Sequence, residues 1–375
     1  MLKSEPPSAR STAGITVNDF ELLHDIVRRA RQNLDQNAWD YIVGGTETET
    51  TLRRNRMALD SIAFKHRVLR DVSRVSASVE RLGRKLRLPI VLAPIGSLES
   101  FQPGGAVPAA RAAAQFGVPH MLSSACDPDL EQLAAEAPDA LRMFQLYARG
   151  DDGWVDEHVR RAMMCGYAAF FLTVDTAIYT RRERDISKRY VTLGRRRATG
   201  EEFQAALDWR TVARLKNKFD IPIGLKGIGS AEDALVALDH GVDFIYISNH
   251  GGRQLDHGRS SFEMLSEIVD AVRGRSTIIV DGGFCRGTDV LKGIAAGADL
   301  VGLGRMQCYG LAAAGEAGVV RMLEILEDEV RRALGLLGAT CMAEVNRASL
   351  TPAQPTNLPT ALSAFPLLTL DEFTY

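Results

Sequence analysis

Residues 248–256, Ser-Asn-His-Gly-Gly-Arg-Gln-Leu-Asp, combine side chains that could do chemistry together. His250 can exchange a proton near neutral pH, and Arg253, three residues on, offers rigid paired donors that suit a carboxylate. Gly251 and Gly252 let backbone approach a ligand closely between them. A base beside an anion clamp suits proton removal from a bound acid. Taken alone, the stretch is better described as a surface turn that holds a histidine. The elements that would position it must decide.

The stretch follows Phe244-Ile245-Tyr246-Ile247, an apolar run that reads as a buried strand, so His250 and Arg253 emerge at a strand end. From Leu88 onward such runs alternate with helical patterns, the signature of a parallel sheet. Eight are present: 89–93, 118–123, 142–146, 169–174, 221–225, 244–247, 277–280 and 300–303. Helices are expected between them at 105–116, 129–136, 154–165, 231–239, 262–272 and 288–296. Eight strand and helix pairs predict a single TIM (β/α)8 barrel of the α/β class. Before it, helices are expected over 20–34, 36–43 and 47–58, then a hairpin within 64–87, together forming a collar. The connection from Asp175 to Pro222 is long and rich in arginine, including Arg181, Arg182, Arg184, Arg189, Arg195, Arg196 and Arg197, and reads as a cover with a solvated charged face. A helical pair is expected over 312–337. The domain boundaries expected are a flexible leader at 1–16, the barrel with its collar at 17–348, and a tail at 349–375 that wraps a neighbour or is disordered.

Composition bounds the partners. The chain has 375 residues, a formal net charge of −2 and ordinary hydrophobic content, so it can bury a large core and carries no basic field for nucleic acid. Cys126, Cys165, Cys285, Cys308 and Cys341 have no metal-type spacing and read as reduced thiols of a cytoplasmic protein. No metal site is expected, and no stretch is long and apolar enough to span a bilayer.

In a barrel of this kind the active site lies at the C-terminal strand ends. Polar residues collect there: Ser123 and Ser124, Gln145 and Tyr147, Thr173 and Asp175, Lys226, the His250 stretch, Asp281-Gly282-Gly283, and Gly304-Arg305. Glycines with arginine after the seventh and eighth strands suit a phosphate, and hence a phosphorylated cofactor. Lys226 could stabilise negative charge, Asp175 could orient His250, and Arg182 could join Arg253 on an anion.

Together Leu-Ala-Pro (92–94), Phe-Gln-Leu-Tyr (144–147), Leu-Thr-Val-Asp-Thr (172–176), Lys226-Gly227, the His250 stretch, Asp-Gly-Gly and Gly-Arg closely resemble the FMN-dependent α-hydroxy acid oxidising family, collinearly over about residues 20–347. The resemblance implies FMN and oxidation of a 2-hydroxy acid to the 2-keto acid. It implies His250 as base, Asp175 as its partner and Tyr147 facing the substrate hydroxyl, with Arg253, Arg182 and Tyr41 on the carboxylate. For FMN it implies Ala93, Pro94, Ile95, Ser123, Gln145, Thr173 and Lys226 around the ring. Ser248 then lies near the ribityl chain, and Asp281, Gly283, Gly304 and Arg305 at the ribityl and phosphate end. It further implies a homo-oligomer, a tetramer or octamer, with oxygen, a quinone or a carrier as electron acceptor.

Three places depart from the family pattern. An arginine usual near the phosphate is Cys285, with Arg286 next in line as substitute; losing one charge-assisted hydrogen bond costs about 1.5 to 3 kcal/mol. Ala125 stands where relatives place a large aromatic residue, and Ile95-Gly96 where glycolate oxidase-like members have Thr-Ala. Gly96 and Ala125 imply room for a substituent bulkier than that of glycolate, which Tyr179 could partly refill. Two alternatives stand beside this reading. One is FMN-dependent oxidation of a hydroxy or amino group in a natural-product or peptide precursor; the other is a non-catalytic flavin-binding barrel.

Overall fold

The computed structural model describes residues 16–196 and 199–368. The described residues begin with a short turn at Val17–Asp19 and three helices, α1 (Leu23–Asn33), α2 (Gln36–Val43) and α3 (Thr50–Asp60), followed by the short strands β1 (Ile62–Phe64), β2 (Val79–Arg81) and β3 (Arg84–Leu86). In α1, Leu23, Ile26, Val27 and Ala30 recur at helical spacing and are all buried, which fixes the face it turns to the barrel. Asp35 caps α2 by accepting from the Ala38 amide at 2.7 Å.

Eight strands then close into a barrel: β4 (Ile90–Leu92), β5 (His120–Ser123), β6 (Arg142–Leu146), β7 (Phe170–Thr173), β8 (Ile223–Ile228), β9 (Phe244–Ile247), β10 (Thr277–Val280) and β11 (Leu300–Leu303). All neighbouring pairs are parallel, with β11 beside β4 closing the ring. Between them run α4 (Ala106–Phe116), α5 (Leu130–Glu136), α6 (Asp152–Met164), α7 (Glu183–Ser187), α8 (Leu193–Arg196), α9 (Glu201–Ala205), α10 (Trp209–Lys218), α11 (Ala231–Asp239), α12 (Ser261–Val272) and α13 (Gly287–Ala295). The final helix, α14 (Arg305–Leu337), precedes a last strand, β12 (Leu350–Pro352).

Successive strand residues face opposite ways, and the core divides accordingly. Ile90, Leu122, Phe144, Phe170, Ile245 and Val301 belong to the large cluster under the helices. Val91, Met121, Met143, Phe171, Tyr246 and Ile279 fill the barrel interior, where Leu86, Val79 and Leu82 of the β2–β3 hairpin join them and plug its lower end. Two residues further along the strands, the same inward register brings Ala93, Ser123, Gln145, Thr173, Lys226, Ser248 and Asp281 to the upper end.

The expected hairpin is present at 79–86, while β1 pairs antiparallel to β12 with Ala63 opposite Thr351. Three expectations are corrected. The described part of the tail is packed on its own chain: Phe365 is buried, edge-on to His24 and Tyr309. The last helix begins at Arg305 rather than 312 and breaks at Ala314 and Gly315, the latter at φ +60°. The arginine-rich connection, read as a covering loop, holds four helices, α7 to α10; Arg197 lies outside the described residues. Among the described residues no helix is long and apolar enough to cross a membrane.

Candidate active site

A cavity of about 490 Å³ opens at the upper end of the barrel. On its wall stand Tyr147 and His250, with Asp175 behind. His250 lies just past β9 at φ +59°, a backbone conformation uncommon outside glycine and often found at functional sites. Its Nδ1 meets both Asp175 carboxylate oxygens, at 3.2 and 3.3 Å, and its Nε2 meets the Tyr147 hydroxyl at 3.1 Å. A carboxylate accepts only, so Nδ1 carries the proton and Nε2 accepts from Tyr147. Gly227 makes room for this pair, since a Cβ there would stand 2.6 Å from the Asp175 Cβ.

Burial holds the His250 imidazole below its usual pKa; Asp175 pulls it up, while Lys226 and Arg182 push it down. The ring is therefore neutral at pH 7, with a basic Nε2. Burial alone would raise the Asp175 carboxyl, but the facing imidazole, its hydrogen bond and Lys226 hold it below the ordinary carboxylate range. Burial, followed by the nearby Asp175 charge, pushes the Tyr147 phenol well up, so it remains a proton donor.

Two guanidinium groups face the same space. Arg253 Nη1 donates to the carbonyls of Tyr41 and Gly44 at 2.6 and 2.8 Å, and its Cζ lies 4.6 Å from the Tyr41 ring centre. Burial, then repulsion from Arg182, lowers its pKa to about 10. Arg182, 8% exposed, lies over the rings of Tyr41 and Tyr179, and its buried Nε has no hydrogen-bond partner. A buried cation lacking a partner is costly unless an anion joins it. The Tyr41 hydroxyl meets the Gly96 carbonyl only at 3.5 Å.

Behind the wall, Ser123, Gln145, Thr173 and Ser248 are buried without lining the cavity. Gln145 Nε2 donates to Thr173 Oγ1 at 2.7 Å, leaving its buried Oε1 without a donor. Lys226 Nζ donates to Ser248 Oγ at 3.1 Å and stands 3.6 Å from Asp281, which accepts from Ser248 at 2.6 Å. Ala93, Pro94, Ile95, Gly96, Ala125, Asp281, Gly283, Gly304 and Arg305 all line the cavity.

The end expected to take a phosphate differs from expectation. Arg286, next to Cys285, turns away from the cavity: its guanidinium pairs with Glu329 of α14 at 2.5 Å and donates to the Ala364 carbonyl at 3.1 Å. A strong carboxylate partner on the neighbouring helix outcompetes the cavity. Arg305 spends four hydrogen bonds on the carbonyls of Ile42, Gly44 and Gly251, tying α2 to the His250 turn.

Arg56 was not singled out in the sequence, yet it lines this end. It is buried, donates to the Gly283 carbonyl at 3.0 Å and pairs with Asp289 through both terminal nitrogens at 2.7 Å. Its neighbour Asn55 exchanges amide hydrogen bonds with Asn249 at 2.7 and 2.9 Å. The available signal was two polar residues on the face of α3 shared by Leu52 and Leu59. Asp256, the last residue of the opening stretch, accepts from the Thr48 and Thr51 amides at 3.0 and 2.8 Å and so secures the start of α3.

Comparison with known proteins matches residues 30–199 and 192–352 to the FMN-dependent dehydrogenase family. Glycolate oxidase 1 of Zea mays is 39% identical over 340 residues, covering 85% of this chain and 92% of the relative. Glycolate oxidase of Spinacia oleracea is 36% identical over 354 residues, covering 88% and 94%. A mandelate oxidase structure with (S)-2-phenylpropionate superposes with a TM-score of 0.82 at 38% identity, covering 89% of this chain and 99% of the other. The structure of a mandelate oxidase mutant with the C4a-OH-FMN adduct gives 0.80 at 38% identity, covering 88% and 99%.

Proposed function

The chain belongs to the FMN-dependent dehydrogenase family and oxidises the CH–OH group of 2-hydroxy acids with FMN as cofactor, and on that premise we propose that His250 is the catalytic base, supported by Asp175 and Tyr147, while Arg253, Arg182 and Tyr41 hold the substrate carboxylate. One observation carries this reading. The neutral imidazole is held between a carboxylate and a phenol, 3.2 Å and 3.1 Å away, beside a buried guanidinium whose Nε lacks a partner.

The residues suit the cofactor. Gln145 Oε1 is a buried acceptor awaiting a donor, and Lys226 is a buried cation, as a flat polar ring at the barrel mouth requires. Ala93, Pro94, Ile95, Ser123, Gln145, Thr173 and Lys226 would hold the ring. Ser248, Asp281, Gly283, Gly304 and Arg305 would hold the ribityl phosphate arm. When bound, FMN takes up the two electrons removed from the substrate. The chain's own groups do the rest: Arg253 and Arg182 fix the carboxylate, Nε2 of His250 takes up a proton, and Asp175 stabilises the imidazolium that results. In the absence of substrate the Tyr147 hydroxyl occupies the Nε2 lone pair. A bound hydroxyl replaces it there, which frees Tyr147 to donate to the substrate oxygen.

The same proposal includes a side chain bulkier than glycolate's. Ala125 and Gly96 are both small, and a Cβ on Gly96 would already meet the Ala125 Cβ at 3.2 Å. The likeness to mandelate oxidase supports this, and the oxidase names of the relatives support oxygen as acceptor. Residence in the cytoplasm and a homotetramer complete the proposal, the first supported by five free cysteines; sedimentation velocity measures the second. Anaerobic mixing of the yellow holoenzyme with mandelate and with glycolate tests the reaction. Mandelate should bleach the flavin faster, and His250→Ala should keep its colour but bleach at least about 10²-fold more slowly. Faster reduction by glycolate would refute the bulky-substrate reading, and a fast His250→Ala variant would place the base elsewhere.

A further inference from the structure

Aromatic rings and guanidinium groups alternate along one wall of the cavity. Arg253 and Arg182 both lie over Tyr41, with Cζ 4.6 and 5.8 Å from the ring centre; Arg182 and Arg195 both lie over Tyr179, at 5.2 and 3.6 Å. The order is Arg253, Tyr41, Arg182, Tyr179, Arg195. Three positive charges thus share a wall where one substrate carboxylate needs two.

Arg195 is not an idle surface arginine of the charged connection. It is half-buried on the cavity wall and has no carboxylate within ion-pair distance among the described residues. Asp185 feels all three arginines yet makes no ion pair with any of them among the described residues. Burial pushes the Asp185 carboxyl up against the pull of the three arginines, and it stays out of ion-pair reach of each. The position of Arg195 is also built in. The preceding Gly194 donates its amide to Ser97 Oγ at 2.9 Å, and a Cβ there would stand 2.6 Å from the Ala125 carbonyl oxygen. Helix α8 is therefore pressed onto the loops after β4 and β5, and Arg195 reaches back over Tyr179.

We propose that Arg195 is the recognition site for a second anionic group on the substrate, and that the preferred substrates are 2-hydroxy acids whose side chain ends in a carboxylate or a comparable anion. This rests on the reading that Arg182 and Arg253 hold the first carboxylate. The two guanidinium carbons of Arg182 and Arg195 are at most 8.8 Å apart, the sum of 5.2 and 3.6 Å. That separation suits an acidic group a few bonds beyond the reacting carbon, or across one aromatic ring. The tyrosine between them keeps the two anion sites distinct.

Matched pairs test this. The holoenzyme is mixed anaerobically with 2-hydroxyglutarate against 2-hydroxyvalerate, and with 4-carboxymandelate against mandelate, giving a reduction rate and a substrate Kd for each. In at least one pair the dianion should bind about 10- to 100-fold more tightly, the range of one charge-assisted hydrogen bond. Arg195→Gln should abolish that preference through Kd, leaving both the reduction rate and the monoanion Kd within about threefold. Equal or tighter binding of the monoanion in both pairs overturns the proposal. So does an Arg195→Gln variant that weakens both members of each pair alike, which would mark a structural role. Arg182→Leu separates the two readings: it should weaken monoanions and dianions together, and if it weakens neither, the carboxylate clamp fails and the second site fails with it. Binding of 2-oxoglutarate against 2-oxovalerate, read from the oxidised flavin spectrum, repeats the comparison without turnover.

Discussion

Asp175→Asn isolates the electrostatic contribution of the dyad while keeping its shape. The carboxylate lies 3.2 Å from His250 Nδ1, and both side chains are largely buried. Two unit charges at that distance interact by about 5 kcal/mol at an effective dielectric constant of ~20. The imidazole is neutral before reaction, so this attraction counts only as the proton arrives at Nε2. If half of the charge has developed in the transition state, the loss is about 2.5 kcal/mol, or roughly 10²-fold; full charge gives nearly 10⁴-fold. The expected result is a reduction rate 10²- to 10⁴-fold lower in anaerobic stopped flow, with substrate Kd and FMN content little changed. A second signature follows from the sign of the coupling. Asp175 pulls the His250 pKa up, so its removal should move the acidic limb of the rate profile to lower pH. A loss under tenfold, or a limb that moves to higher pH, would refute the reasoning.

Tyr147 donates to the unprotonated Nε2. Tyr147→Phe should therefore raise the His250 pKa, shift the acidic limb to higher pH and slow reduction by about tenfold, the worth of one neutral hydrogen bond. Ala125→Trp should fill the space beside Gly96, weakening mandelate by about 10- to 100-fold as overpacking does, while glycolate changes little in the same assay. Cys285→Arg restores a cation at the phosphate end and should slow FMN release about 10- to 100-fold, measured as recovery of free flavin fluorescence after dilution. His120 is fully buried with neither ring nitrogen partnered among the described residues, and burial lowers its pKa from 6.5 to about 4. The unfolded chain binds that proton first, so stability is complete above pH 6.5 and falls as pH drops towards 4, by about 3 kcal/mol at ~1.36 kcal/mol for each tenfold in proton affinity. Urea unfolding of His120→Met should lack that part of the loss.

Regular strand and helix patterns made the barrel readable. Phe244–Ile247, Thr277–Val280 and Leu300–Leu303 coincide with their expected limits because both faces of each strand are buried and the runs are unbroken. His250, Asp175 and Tyr147 were legible because each follows such a strand. What escaped was pairing between distant segments. The three residues of β1 carry no period long enough to announce their partner in β12, and Arg286 sits in the expected loop but finds Glu329 first. Arg56 lay within a collar helix, where a charged residue is ordinarily read as solvent-facing. Its burial depends on Asp289, which nothing local in α3 reveals.

The pairing of β1 with β12 has a consequence for biosynthesis. The helix bearing Asn55 and Arg56 leads directly into β1, whose ladder partner leaves the ribosome only after the whole barrel. Closing so long a loop is favourable only once the intervening strands have shortened it. The collar segment is therefore synthesised early and latched late. Arg56 reaches the Gly283 loop from that early segment, so one wall of the pocket joins residues made far apart in time.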